Sequence, residues 1–113
     1  MSVPGYGRIT PLQGFVLGLG GEVIDLPFQT PTDEQRLAEM KASRKELRAH
    51  TSKDFGFDLA AWHNYLMQHP DFAKEYTFDY AWSGVSRKVK ELIDDPNRIR
   101  LARILDGQEP DFG

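Results

Sequence analysis

The sequence predicts a small, mainly α-helical domain: four or five helices behind an N-terminal β-hairpin or irregular arm. Three observations carry this expectation. Apolar residues recur every three or four positions through most of the chain from Leu37 onward. Helix start signals precede these stripes at Thr32 with Gln35, at Asp58, and at Asp95-Pro96. A length of 113 residues with 40% hydrophobic and 27% charged side chains fits one globular core, not two domains or a disordered chain.

Residues 1–31 read as the arm. Glycines and prolines crowd Met1 to Leu12, which fits irregular chain. Two β-prone runs, Phe15 to Leu19 and Val23 to Leu26, flank Gly20-Gly21-Glu22. Glycine reaches the positive φ angles of tight turns, so a hairpin is expected here, within the chain or across a dimer. Gly14 and Gly18 weaken its first strand, and two strands alone need the helices for support.

Residues 32–107 read as the helical core. Thr32 and Gln35 form a capping box for a helix from Asp33 to about His50. Its stripe is Leu37, Met40, Arg44 and Leu47, narrow and with one charged interruption. A structured turn follows over Thr51 to Asp58, where Gly56 permits a left-handed residue between Phe55 and Phe57. Asp58 caps a helix with Leu59, Trp62 and Leu66 on one face, and Pro70 ends it. A short helix is expected over Asp71 to Tyr76. The next starts at Ser83-Gly84 as a cap and uses Trp82, Val85, Val89, Leu92 and Ile93. Asp95-Pro96 starts the last helix, which carries Ile99, Ala102 and Leu105 and stops at a left-handed Gly107. Residues 108–113 form a tail in which Phe112 is a candidate anchor.

One local motif is specific. Thr51 to Trp62 reads T-S-K-D-F-G-F-D-L-A-A-W. It resembles a recurring element of bacterial HEAT-like helical-repeat proteins: a threonine, a D-F-G-aromatic-D turn, then a helix with an early tryptophan. The resemblance implies a helix–turn–helix connection and no activity. Versions of that element carry glycine where this chain has Ser52. The kinase D-F-G reading fails, because no glycine-rich loop or H-R-D accompanies it.

Chemistry finds few footholds. Without cysteine there is no disulfide framework, thiolate metal site or cysteine nucleophile. His63 and His69 lie six residues apart and do not form an i, i+4 metal pair, and His50 is remote. Ser43, Thr51, Ser83 and Ser86 stand in no nucleophile elbow. Asp94-Asp95 is explained by capping before Pro96. The glycines near residue 20 precede an acidic, β-prone segment, where a phosphate meets repulsion in place of a helix N-terminus. No metal or cofactor is therefore expected. Basic groups at Lys41 to Lys53, Arg87 to Lys90 and Arg98 to Arg103 each have acids close by, as on solvated helix faces. With a net charge of −3 they argue against general nucleic-acid binding.

The aromatic residues are the remaining signal. Nine large rings fall between Phe55 and Trp82, more than a small core readily hides. Tyr65, Tyr76 and Tyr80, flanked by Asp71, Glu75 and Asp79, form a candidate acidic-aromatic surface for a protein partner. The function expected from this is a non-enzymatic protein-binding module, most concretely a bacterial immunity-type protein that occludes a basic toxin domain. Two alternatives stand beside it: a nucleic-acid-associated regulator using the basic Lys41 to Lys53 helix, and a small hydrolase or transferase around His63 and Asp58. The start of the chain lacks the basic and apolar regions of a signal peptide, and no stretch is long enough to span a bilayer. A cytoplasmic location is expected.

Overall fold

Two threonines start the first two helices in the same way. Thr10 Oγ1 accepts from the Gln13 N–H at 3.3 Å, and Gln13 Oε1 accepts from the Thr10 N–H at 2.9 Å. Pro11 fills the first helical position, where no N–H is needed. The result is α1 (Pro11–Leu19). Thr32 and Gln35 repeat the box at 3.1 and 2.8 Å and open α2 (Asp33–Thr51). The computed structural model describes residues 2–3, 7–23 and 30–108, the side chains of residues 2, 3, 7, 8, 79, 80 and 108 excepted.

Four further helices follow: α3 (Leu59–Gln68), α4 (Ala73–Tyr76), α5 (Asp79–Ile93) and α6 (Pro96–Gln108). Asp58 Oδ1 accepts from the Ala61 N–H at 3.1 Å and caps α3. Asp95 Oδ2 accepts from the Arg98 N–H at 3.3 Å at the start of α6. Near the N-terminus, β1 (Ser2–Val3) pairs antiparallel with β2 (Gly7–Arg8), Ser2 opposite Arg8.

The mainly helical class holds, and the expected hairpin gives way to a helix. Phe15 to Leu19 belongs to α1, and Val23 lies in no strand, while the rest of the expected second strand falls outside the described residues. A short run that is apolar on all sides suits a buried helix as well as a strand. The capping box at Thr10 and the helix bonds it starts decide between them. The boundary of the arm changes with it. Leu12, Val16, Leu17 and Leu19 are at most 1% exposed, so α1 is part of the core. Gln13, fully buried, donates from Nε2 to the carbonyls of Tyr76 at 2.9 Å and Phe78 at 3.2 Å.

Two helix boundaries also move. Ser83 and Gly84 lie inside α5, which begins at Asp79, because Ala81 already packs into the core. Gly107 continues α6, and the positive-φ glycines among the described residues are Gly21 and Gly56. The Gly20-Gly21 pair still makes a turn, in which the N–H groups of Gly21 and Glu22 donate to the carbonyls of Gly18 and Leu17. No helix among the described residues is long and apolar enough to cross a membrane.

The Thr51 to Trp62 connection is dense with polar contacts. Ser52 ends α2 in the left-handed region at φ 59°, and Gly56 follows at φ 62°. Arg44, 3% exposed, sends Nε and Nη2 to the two Asp54 oxygens at 3.1 and 2.8 Å, and its guanidinium lies 5.0 Å over the Phe57 ring. Asp54 Oδ1 also accepts from the Gly56 N–H at 2.8 Å. Trp62 Nε1 donates to the Gly56 carbonyl at 3.0 Å. From the far side, Arg98 donates to the carbonyls of Phe57, Leu92 and Ile93 at 3.2, 2.8 and 3.2 Å. The turn, the end of α5 and the start of α6 are thereby joined through one buried guanidinium.

Candidate functional site

Two places combine chemistry-bearing side chains: the buried His63 and the ring-rich corner between α3 and α4. Each follows from the helix that carries it. On α3, Leu59, Trp62, His63 and Leu66 face inward, while Tyr65 sits at the edge of that face.

His63 is 5% exposed. Its Nδ1 lies 2.6 Å from the Tyr76 hydroxyl, and its ring stacks on Trp82 at 6.0 Å and 19°. Burial, with Lys90 adding to it, pushes its pKa below the usual 6.5. Burial also pushes the Tyr76 phenol up. The site therefore holds a neutral imidazole and a neutral phenol. Asp58, the acid expected to assist His63, spends its carboxylate on the Ala61 N–H as the cap of α3. Among the described residues, no three His, Asp or Glu side chains come together as a metal site.

The α3–α4 corner carries a row of half-buried rings. Phe55 lies 5.0 Å from Tyr65, Tyr65 5.2 Å from His69, and His69 5.0 Å from Phe72, with Tyr65 and Phe72 closing the row at 6.1 Å. Rings at such spacings and tilts are in mutual contact. Asp71, its side chain 79% exposed, stands beside them with a carboxylate oxygen 3.9 Å from His69 Nδ1. The Asp71 N–H donates to that same nitrogen at 3.1 Å.

The residues expected to form the partner surface separate here. Tyr65 and Asp71 share the ring row. Tyr76 is fully buried against His63 and Trp82, so it cannot face a partner. Glu75 is exposed but engaged: its Oε2 accepts from the Leu12 N–H at 3.1 Å, and its carbonyl accepts from Thr10 Oγ1. Its charge sits at the N-terminus of α1, where the helix dipole favours an anion. Asp79 and Tyr80 begin α5, and their side chains lie outside the described residues. Sequence reasoning missed Phe55, His69 and Phe72 as companions of Tyr65. The i, i+4 spacing of Tyr65 and His69 was the available signal.

The basic groups do not act as one surface. Arg98 is buried on backbone carbonyls, Arg100 pairs with Asp33 at 2.6 Å, and Lys88 pairs with Glu22 at 3.4 Å. On α2, Lys41, Ala42, Arg44, Lys45 and Arg48 line an open groove of about 370 Å³. Arg44 and Arg48 both approach Asp54 there, at 2.8 and 3.5 Å. No protein-family model, no curated protein and no solved structure matches this chain.

Proposed function

We propose that this chain is a non-enzymatic protein-binding module, in its most concrete form a bacterial immunity-type protein that neutralises a basic toxin domain by covering it. The observation that supports this reading is the continuous row of half-buried rings at the α3–α4 corner, edged by the exposed Asp71. Aromatic side chains anchor interfaces because they bury a large area with few rotatable bonds. An acid at the rim favours a cationic partner and speeds its approach.

The test uses the tagged chain purified from its native host, with co-purifying proteins identified by mass spectrometry. Asp71→Arg and Tyr65→Ala are then compared with the parent chain. The expected result is a stoichiometric protein partner whose affinity falls by about tenfold or more in each variant, the scale of one lost anchor. Circular dichroism checks that the variants remain folded. Glu75 is avoided, because its carboxylate also holds the start of α1. Unchanged affinity in both variants refutes this surface.

The nucleic-acid reading retains one supporting observation, the open basic groove on α2. Affinity for duplex DNA that falls steeply with salt is its signature.

A further inference from the structure

His63 is a buried histidine that the proposed binding surface does not use. It stands where three other helices meet its own, since α3 packs on α1, α4 and α5. α4 contributes Tyr76, whose hydroxyl lies 2.6 Å from Nδ1, and α5 contributes the Trp82 ring. α4 is a single turn of four residues, too short to persist without tertiary support. Tyr76, fully buried, supplies much of that support, and the Gln13 bond to the Tyr76 carbonyl adds to it.

The polar geometry depends on the charge of His63. The phenol keeps its proton, so in the Nε2–H tautomer it donates to Nδ1. Protonation places a hydrogen on Nδ1. The 2.6 Å contact then survives only by reversing, with the phenol accepting and its own O–H left without that acceptor in a buried site.

Among the described side chains, the neighbours offer the new charge no compensation. α1 carries no ionisable residue. On α4, Lys74 and Glu75 are exposed, and Glu75 holds the Leu12 N–H. On α5, Lys90 repels the imidazolium, Arg87 and Glu91 are exposed, and Lys88 is held by Glu22 and Glu91. Asp79 and Tyr80 begin α5 with side chains outside the described residues.

We propose that His63, Tyr76 and Trp82 form a proton-operated latch on α4: neutral His63 holds the short helix against α3 and α5, and protonation releases it. The sign follows from the depressed basicity of the closed form. An opened His63 takes a proton near the ordinary 6.5, whereas the closed one takes it only at lower pH. Opening therefore becomes easier as the pH falls through about 6.5, and closure is strongest above it. While the closed imidazole stays neutral, the opening constant rises about tenfold between pH 7.5 and 5.5. Phe72 adjoins α4, so release also disturbs the ring row; that consequence rests on the binding reading above.

Amide hydrogen exchange over residues 73–77 of the full chain tests the latch, corrected for intrinsic exchange at each pH. The imidazole resonances are followed in the same samples. The expected result is an opening constant that rises from pH 7.5 to 5.5, by as much as about tenfold when the closed imidazole stays neutral throughout, with His63 titrating below 6.5. A constant opening, or His63 titrating at or above 6.5, overturns the proposal. His63→Gln keeps a group able to bond the phenol but cannot charge, so its α4 opening is expected to be independent of pH. The same rise in that variant assigns the effect to another group and equally overturns the proposal. Should His63→Gln fail to fold, Tyr76→Phe decides: without the phenol, His63 is expected to titrate closer to 6.5, and an unmoved titration refutes the latch. No partner is needed for these measurements, so their failure is separate from failure of the binding reading.

Discussion

Replacing Asp54 with alanine is the sharpest test of what holds the turn between α2 and α3. The carboxylate receives two N–H groups of Arg44, at 3.1 and 2.8 Å, and the Gly56 N–H at 2.8 Å. The Arg44 side chain is 4% exposed and the Asp54 side chain 19%, so water replaces these bonds poorly around the guanidinium. Removing one partner of a buried pair costs about 3–5 kcal/mol. The partial exposure of Asp54 and the remaining contact of Arg44 with Phe57 place the expectation at the lower end, about 3 kcal/mol. For a domain of this size that corresponds to a fall in Tm of about 12 °C. Urea unfolding followed by circular dichroism measures the free energy, and a thermal melt gives the second value. The Asp54→Ala, Arg44→Met double variant is expected to be less destabilised than the two single changes summed, since neither charge is then left behind. The pH dependence carries its own sign. Arg44 hydrogen bonding holds the Asp54 carboxyl below its ordinary 3.8, so its contribution is fully present above that value and disappears as pH falls through the lower folded value. A single-variant cost under about 1 kcal/mol, or strict additivity in the double variant, refutes the claim that this pair anchors the turn.

Glycine positions give predictions of opposite sign, each read from the urea midpoint. A methyl at Gly14, inside α1, meets the Ile9 Cδ1 at an ordinary 3.5 Å, so Gly14→Ala is expected to stabilise by about 0.5–1 kcal/mol through helix propensity. A methyl at Gly20 falls 2.6 Å from Leu92 Cδ1 and 3.3 Å from both the Leu17 carbonyl and Leu59 Cδ2, so Gly20→Ala is expected to cost about 1–3 kcal/mol. Ser52 takes φ 59° without being glycine, and Ser52→Gly is expected to stabilise by about 0.5–1 kcal/mol. Gly56→Ala, at φ 62° with no neighbour within 4 Å, is expected to cost about 1 kcal/mol through the backbone alone. A matching sign for both members of either pair refutes the corresponding backbone reading.

The sequence made most of the local structure legible and little of what faces what. Thr32 with Gln35, Asp58 and Asp95-Pro96 mark helix starts because capping is a contact within four residues. Thr10-Pro11-Leu12-Gln13 holds the same signature as Thr32 to Gln35, and reading it overturns the hairpin at Phe15 without any tertiary knowledge. Ser52 is the departure from glycine in the D-F-G element, and it stands at the left-handed end of α2. Arg44 interrupted an apolar stripe visibly, but its partner Asp54 lies in the following turn, where periodicity gives no guidance. The inward direction of Tyr76 depends on a four-residue helix whose phase no stripe reveals. Gln13 under Tyr76 and Arg98 under Phe57 are long-range contacts, which no local pattern encodes.

Those long-range bonds have a consequence for how the chain is made. α1 leaves the ribosome before the other helices, and its apolar residues pack against much later ones. Its caps and its buried glutamine reach residues 63 to 65 positions further along, at Glu75, Tyr76 and Phe78. The turn at Phe57 waits similarly for Arg98, 41 positions on. Synthesis at about 5–20 residues per second leaves the apolar side of α1 without its final neighbours for several seconds. The nascent chain thus has to shelter α1 before the later helices can cover it, and closure of the core waits for α5 and α6 to be made.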